Sequence, residues 1–180
     1  MVANSLICMR LFPLWIILCM SFNGVAQNVF DASRNGDMVA LSQIWKSEPS
    51  QLNAINDEGY SPLVLAAYHD QYEAVQFLLQ HKASPNTTSK HGSPLMAATV
   101  KGNLEIISLL LNYKADPNLI DPNGTTALHY ASMFKLNEIA AQLLVFKADP
   151  NLKDNRGNSS ADYAKLTNNE MLINLLKQHQ

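Results

Sequence analysis

The sequence predicts an all-α chain: a solenoid of about five helix-turn-helix units joined by short hairpin-like fingers. Three observations lead there. The stretch Leu78-Leu79-Gln80-His81-Lys82-Ala83-Ser84-Pro85-Asn86 returns at Leu110–Asn118 and again at Leu143–Asn151, at offsets of 32 and 33 residues. Each copy is followed by a glycine turn and a helix start, and the matching positions Leu63, Leu95, Leu128 and Ala161 are spaced by 32, 33 and 33 residues. Between these marks lies a second helix with an i, i+1, i+4, i+5 apolar face: Ala74, Val75, Leu78 and Leu79 in one copy, Ile106, Ile107, Leu110 and Leu111 in the next. Such a face is too broad for one unit to bury, and stacked neighbours cover it.

The elements follow in order. Residues 1–26 read as a secretory signal peptide: Arg10 precedes the apolar run Leu11–Met20, and Gly24-Val25-Ala26 supplies small residues before Gln27. That run falls well short of the roughly 20 residues a membrane-spanning helix needs. Translation from Met1 or from Met9 fits equally, and neither Cys8 nor Cys19 follows the small residues of a lipoprotein site. The repeat domain is expected over 27–180, in units of approximately 28–55, 56–88, 89–120, 121–153 and 154–180. In each full unit a hydroxyl residue (Ser61, Ser93, Thr126, Ser159) caps the inner helix. Pro62 and Pro94 follow at the first helical turn, where a missing N–H costs nothing. Small residues, Ala66-Ala67, Ala98-Thr99 and Ala131-Ser132, let adjacent inner helices approach closely. The first unit keeps only the two helices, around Val29, Phe30, Ala32, Leu41, Ile44 and Trp45; the last is polar at its outer end, with Lys177, Gln178 and His179. These suit the two caps of a stack.

Composition narrows the function. The chain is 47% hydrophobic and 16% charged with a net charge of −2, outside the range of disordered chains and without the cationic excess of a nucleic-acid binder. Removing the leader takes away Arg10 and no acid, so the net charge becomes −3. It also removes both cysteines, which excludes a thiol nucleophile, a thiolate metal site and a disulfide in the remainder.

The motifs Gly59-Tyr60-Ser61-Pro62-Leu63, Gly92-Ser93-Pro94-Leu95 and Ala127-Leu128-His129-Tyr130-Ala131 resemble the ankyrin repeat, and the resemblance covers roughly residues 28–180. It implies that His129 bonds neighbouring loops and that fingers and inner helices share a concave face used to grip proteins. Two departures stand out. Asn86 to Pro94 spans one residue fewer than the matching interval elsewhere, so the finger between them is expected to be distorted. Lys82, Lys114 and Lys147 occupy the place after the outer helix where the family usually has glycine, which predicts either positive φ at these lysines or a differently ended helix.

No catalytic constellation emerges. The histidines His69, His81, His91, His129 and His179 lack metal-site spacing, no Gly-x-Ser-x-Gly or phosphate loop occurs, and Asp57 and Glu58 adjoin on a turn rather than facing each other. No enzyme activity, cofactor, metal or small-molecule substrate is expected. By register the finger tips present Asp57, Glu58, Tyr60, Lys90, His91, Asp121, Asn123, Thr125, Asn155, Arg156 and Asn158. The inner-helix ends present Arg34, Asn35, Tyr68, His69, Val100, Lys101, Met133, Phe134, Leu166 and Thr167. From these, Asp57, Glu58, Tyr60, Tyr68, His69, His91, Lys101, Asn123, Met133, Phe134, Arg156 and Leu166 are the expected partner-binding residues, although Phe134 and Leu166 also suit a role in covering the gap between units. The expectation is an exported, monomeric protein-binding module without a stable membrane anchor. Its expected place is the bacterial periplasm, as an adaptor or protective partner of an envelope protein; a toxin-neutralising immunity protein and a secreted effector that binds host proteins are the alternatives.

Overall fold

The computed structural model describes residues 28–179 and is helical throughout, in line with the expected solenoid. The expected leader lies outside the described residues. Among the described residues, ten α-helices form five antiparallel pairs: α1 (Val29–Asn35) with α2 (Met38–Ser47), α3 (Pro62–Tyr68) with α4 (Tyr72–Gln80), α5 (Pro94–Lys101) with α6 (Leu104–Asn112), α7 (Ala127–Met133) with α8 (Asn137–Val145), and α9 (Ser160–Leu166) with α10 (Glu170–Lys177). A 3₁₀ turn, Pro49–Asn53, follows α2. Inner helices stack as α1, α3, α5, α7, α9, and outer helices stack behind them. Helices this short do not persist alone in water, so stacking is what stabilises them.

The packing follows the expected faces. Ala66, Ala67, Ala98 and Ala131 are buried between inner helices; Ala74, Val75, Leu78 and Leu79, and their counterparts Ile106, Ile107, Leu110, Leu111, Ile139, Ala140, Leu143 and Leu144, fill the space behind. Burying one such leucine or isoleucine contributes roughly 1.5–3 kcal/mol. All four expected hydroxyl caps accept from a main-chain N–H three residues on, Ser61 from Val64 and Thr126 from His129 among them.

The lysines at the outer-helix ends take the first expected outcome. Lys82, Lys114 and Lys147 have φ of 66°, 67° and 68°. Their amides and those of the next residues close the helix: Lys82 N–H reaches the Leu79 carbonyl and Ala83 N–H the Leu78 carbonyl, the six-to-one closure with a buried alanine beneath it. The sequence reading missed that inner helices end the same way. Asp70, Lys135 and Asn168 have φ of 58°, 58° and 52°, at the positions filled by Gly36 and Gly102 in the other units.

An asparagine strap ties each unit to the next. Asn53, Asn86 and Asn118 each accept from a main-chain N–H of the following unit (Ser84 at 2.7 Å, Asp116 at 2.8 Å, Asp149 at 2.7 Å). Each also donates to the carbonyl of that unit's left-handed lysine, Lys82, Lys114 and Lys147. Asn151, at the same position with no matching turn after it, folds back on Asp149 instead.

Candidate functional site

The fingers are set by one residue each. The first turns at Asn56–Tyr60, the third at Asp121–Thr125 and the fourth at Asp154–Asn158, with the first residue's N–H on the last one's carbonyl. Asn56, Asp121 or Asp154 also accepts from the turn's closing amide through its own side chain. This corrects two expected surface residues: Asp121 and Thr125 are buried, because the Asp121 carboxylate works inward, accepting from Asn123 N, Thr125 N and the Tyr130 hydroxyl. The second finger is indeed contracted. Ser89 and Gly92 exchange both main-chain bonds across only three residues, and Gly92 (φ 93°) runs directly into the cap Ser93.

The contraction has a counterpart on the inner helices. His129 is fully buried and bridges two fingers: its Nε2–H donates to the Asn158 carbonyl at 3.1 Å, while Nδ1 accepts from the Thr126 N–H and hydroxyl. This is the loop-bridging role the family resemblance implied. Burial holds its pKa below the ordinary histidine value, opposed by the Asn158 carbonyl. At the matching position stand Val64, Met96 and Asp162. Met96 Sδ takes only the Ser93 N–H, and Asp162 takes the Ser159 N–H and hydroxyl, which lower its carboxyl to about 2. Fingers three and four are thus joined by His129 and by Asn155, which donates to the Asn123 and Pro122 carbonyls. Fingers one and two are joined by stacking: the Tyr60 and His91 rings lie 4.2 Å apart at 9°. Among the described residues, no hydrogen bond joins the second finger to the third.

A groove of about 520 Å³ opens across that interval. Its walls are finger residues Glu58, Tyr60, Lys90, His91, Asp121 and Asn123. Its floor comes from α3, α5 and α7: Val64, Leu65, Tyr68, Met96, Ala97, Val100 and Tyr130, with Arg34 and His69 at its margin. Tyr68 is 47% exposed, and Lys101 Nζ lies 5.5 Å from its ring centre while pairing with Asp70 at 3.7 Å. Of the expected site residues, Glu58, Tyr60, Tyr68, His69, His91 and Asn123 line this groove, and Lys101 adjoins it through Tyr68.

The others do not converge there. Asp57 is exposed beside Glu58 at the first tip. Met133 is half-buried; Phe134, 52% exposed, stacks on Tyr130 at 6.3 Å; Arg156 and Leu166 (71% exposed) stand on the last unit.

Tyr130 was missed. The available signal was its place nine residues after Asp121, repeated by Tyr163 after Asp154, where the other units have Leu65 and Ala97. Burial and the Asp121 hydrogen bond raise the Tyr130 phenol to about 12. Tyr163 donates to Asp154 in the same way, which raises the phenol and lowers the carboxyl.

Among the described residues, no group of three His, Cys, Asp or Glu is placed to hold a metal ion, and no helix is long and apolar enough to cross a membrane. The groove has a largely apolar floor under polar walls. Comparison with known families matches the chain to one described as "Ankyrin repeats (3 copies)", over residues 29–121 and 95–180.

Proposed function

Because the chain belongs to the ankyrin repeat family, we propose that it is a non-enzymatic protein-binding module that grips a partner through the face made by its fingers and inner helices. The observation that carries this reading is the groove floored by Tyr68 and Val100, large groups left half-exposed on helices whose backs are fully packed. Aromatic anchors ringed by polar residues are where binding energy concentrates in protein interfaces. Helices and strapped fingers hold them in place before the partner arrives, so little ordering entropy is lost on docking. The expected leader at 1–26 and the acidic, cysteine-free remainder support an exported protein, an adaptor or protective partner of an envelope protein in the periplasm.

The test is capture from envelope extract with three proteins: wild type, a groove-side variant (Tyr68→Ala/Phe134→Ala) and an outer-face variant (Tyr113→Ala/Val145→Ala). Wild type and the outer-face variant should recover the same partner, and the groove-side variant should lose it. Recovery of that partner at equal yield by all three would refute the choice of face.

A further inference from the structure

The row of fingers is tied together unevenly. Between the third and fourth, the Asn155 N–H donates to the Asn123 carbonyl, and the His129 ring ties α7 to the Asn158 carbonyl. The two backbones also touch there: an added Cβ at Gly124 would sit 3.0 Å from Asn155 N and 3.2 Å from Asp154 Cα. Between the first and second, the Tyr60 and His91 rings stack, and the Lys90 stem lies along Gly59.

Between the second and third fingers each of these ties is missing, for reasons that particular residues supply. Pro122 follows the first aspartate of its turn, as Asn155 does in the fourth finger, and has no N–H to donate. Met96 takes the place of His129, and a thioether cannot donate; its Sδ turns back to the Ser93 N–H. An added Cβ at Gly92 would lie 2.6 Å from Met96 Sδ, whereas the nearest atom of the third finger is a side-chain carbon, Asp121 Cβ, 3.6 Å away. The space is thus filled by an unbranched, adaptable side chain rather than by bonded backbone. Behind it the stack stays closed: α5 packs on α7, and the Asn86 strap binds the Lys114 carbonyl and the Asp116 N–H.

We propose that the junction of the second and third fingers is a hinge, at which the first two fingers swing as a stacked pair against the bonded third and fourth, pivoting about the Asn86 strap. Segments open locally where few hydrogen bonds hold them. The groove straddles this junction, with Tyr60 and His91 on one side and Asp121 and Asn123 on the other, so the swing sets its width. Use of the hinge to admit a partner rests on the concave face being the binding face; the hinge itself is a property of the free chain.

The test measures distances between nitroxide labels on neighbouring finger tips of the free full chain, with Cys8→Ser and Cys19→Ser as background. One pair, Lys90→Cys/Asn123→Cys, crosses the hinge; the other, Asn123→Cys/Arg156→Cys, lies within the bonded half. The distribution across the hinge should be about twofold broader than the other. Met96→His places a ring N–H where it can reach the Thr125 carbonyl, as His129 reaches that of Asn158, and should narrow the first distribution to the width of the second. A thermal melt no lower than that of wild type shows that the ring is accommodated. Equal widths in the parent chain would overturn the hinge whatever the variant does, and so would a first distribution left broad by an accommodated Met96→His. Neither result touches the choice of binding face, which the capture experiment decides separately.

Discussion

The Tyr130 hydroxyl donates to Asp121 Oδ2 at 2.8 Å, pinning the third finger to the inner helix beneath it. Oδ1 of the same carboxylate holds the finger's own amides, Asn123 N and Thr125 N. One buried side chain thus sets both the shape of the finger and its tilt over the groove.

Tyr130→Phe should therefore cost about 1–2 kcal/mol in chemical denaturation, since a buried carboxylate oxygen is left without its donor. In wild type the phenol should titrate near 12, read by phenolate absorbance, and Asp121→Asn should lower that value. The sign follows from a folded pKa above the ordinary 10: the contribution is complete below pH 10 and fades as pH rises through the folded value.

The asparagine strap gives a comparison within one protein. Asn86→Ala and Asn118→Ala each remove two bonds to the next unit and should each cost about 1–2 kcal/mol. Asn151→Ala removes only a side-chain bond to Asp149, within its own unit, and should leave the denaturation midpoint nearly unchanged. Equal effects at all three sites would argue that the strap carries no inter-unit energy.

Lys82, Lys114 and Lys147 sit where a side chain is strained. Replacing Lys114 by Gly should stabilise the fold by about 0.5–1 kcal/mol, the left-handed penalty less the greater freedom of glycine in the unfolded chain. Thermal melts of the single variant check it.

His129 makes stability depend on pH in a stated direction. Its folded pKa lies below the ordinary 6.5, because burial disfavours the charged ring. The unfolded chain then binds the proton more readily, so the contribution is complete above pH 6.5 and is lost as pH falls below it. Denaturation across that window should show a decline in wild type that His129→Gln flattens, at a lower overall stability.

Local chemistry was legible in the sequence, and contacts between units much less so. The hydroxyl caps and the contracted second finger depend on a few consecutive residues and stand as read, and the lysines take one of the two helix endings their position allowed. The Asn86 bonds to Lys114 and Asp116 span 28 and 30 residues, so they depend on how far one unit turns against the next. Asp121 was read as a tip residue because its position in the repeat is a tip; only the fold shows that Tyr130 draws it inward. The candidate site divides in the same way. Tyr60, Tyr68 and His91 meet in the groove, whereas Arg156 and Leu166 stand on the last unit and Phe134 stacks on Tyr130 outside the lining.

The most direct measurement is amide hydrogen exchange of the full chain, alone and with its captured partner. The account predicts added protection at the fingers around Glu58–Tyr60 and Lys90–Gly92 and along α3 and α5, with α4, α6 and α8 unchanged. Protection confined to those outer helices, or spread evenly over both faces, would contradict it.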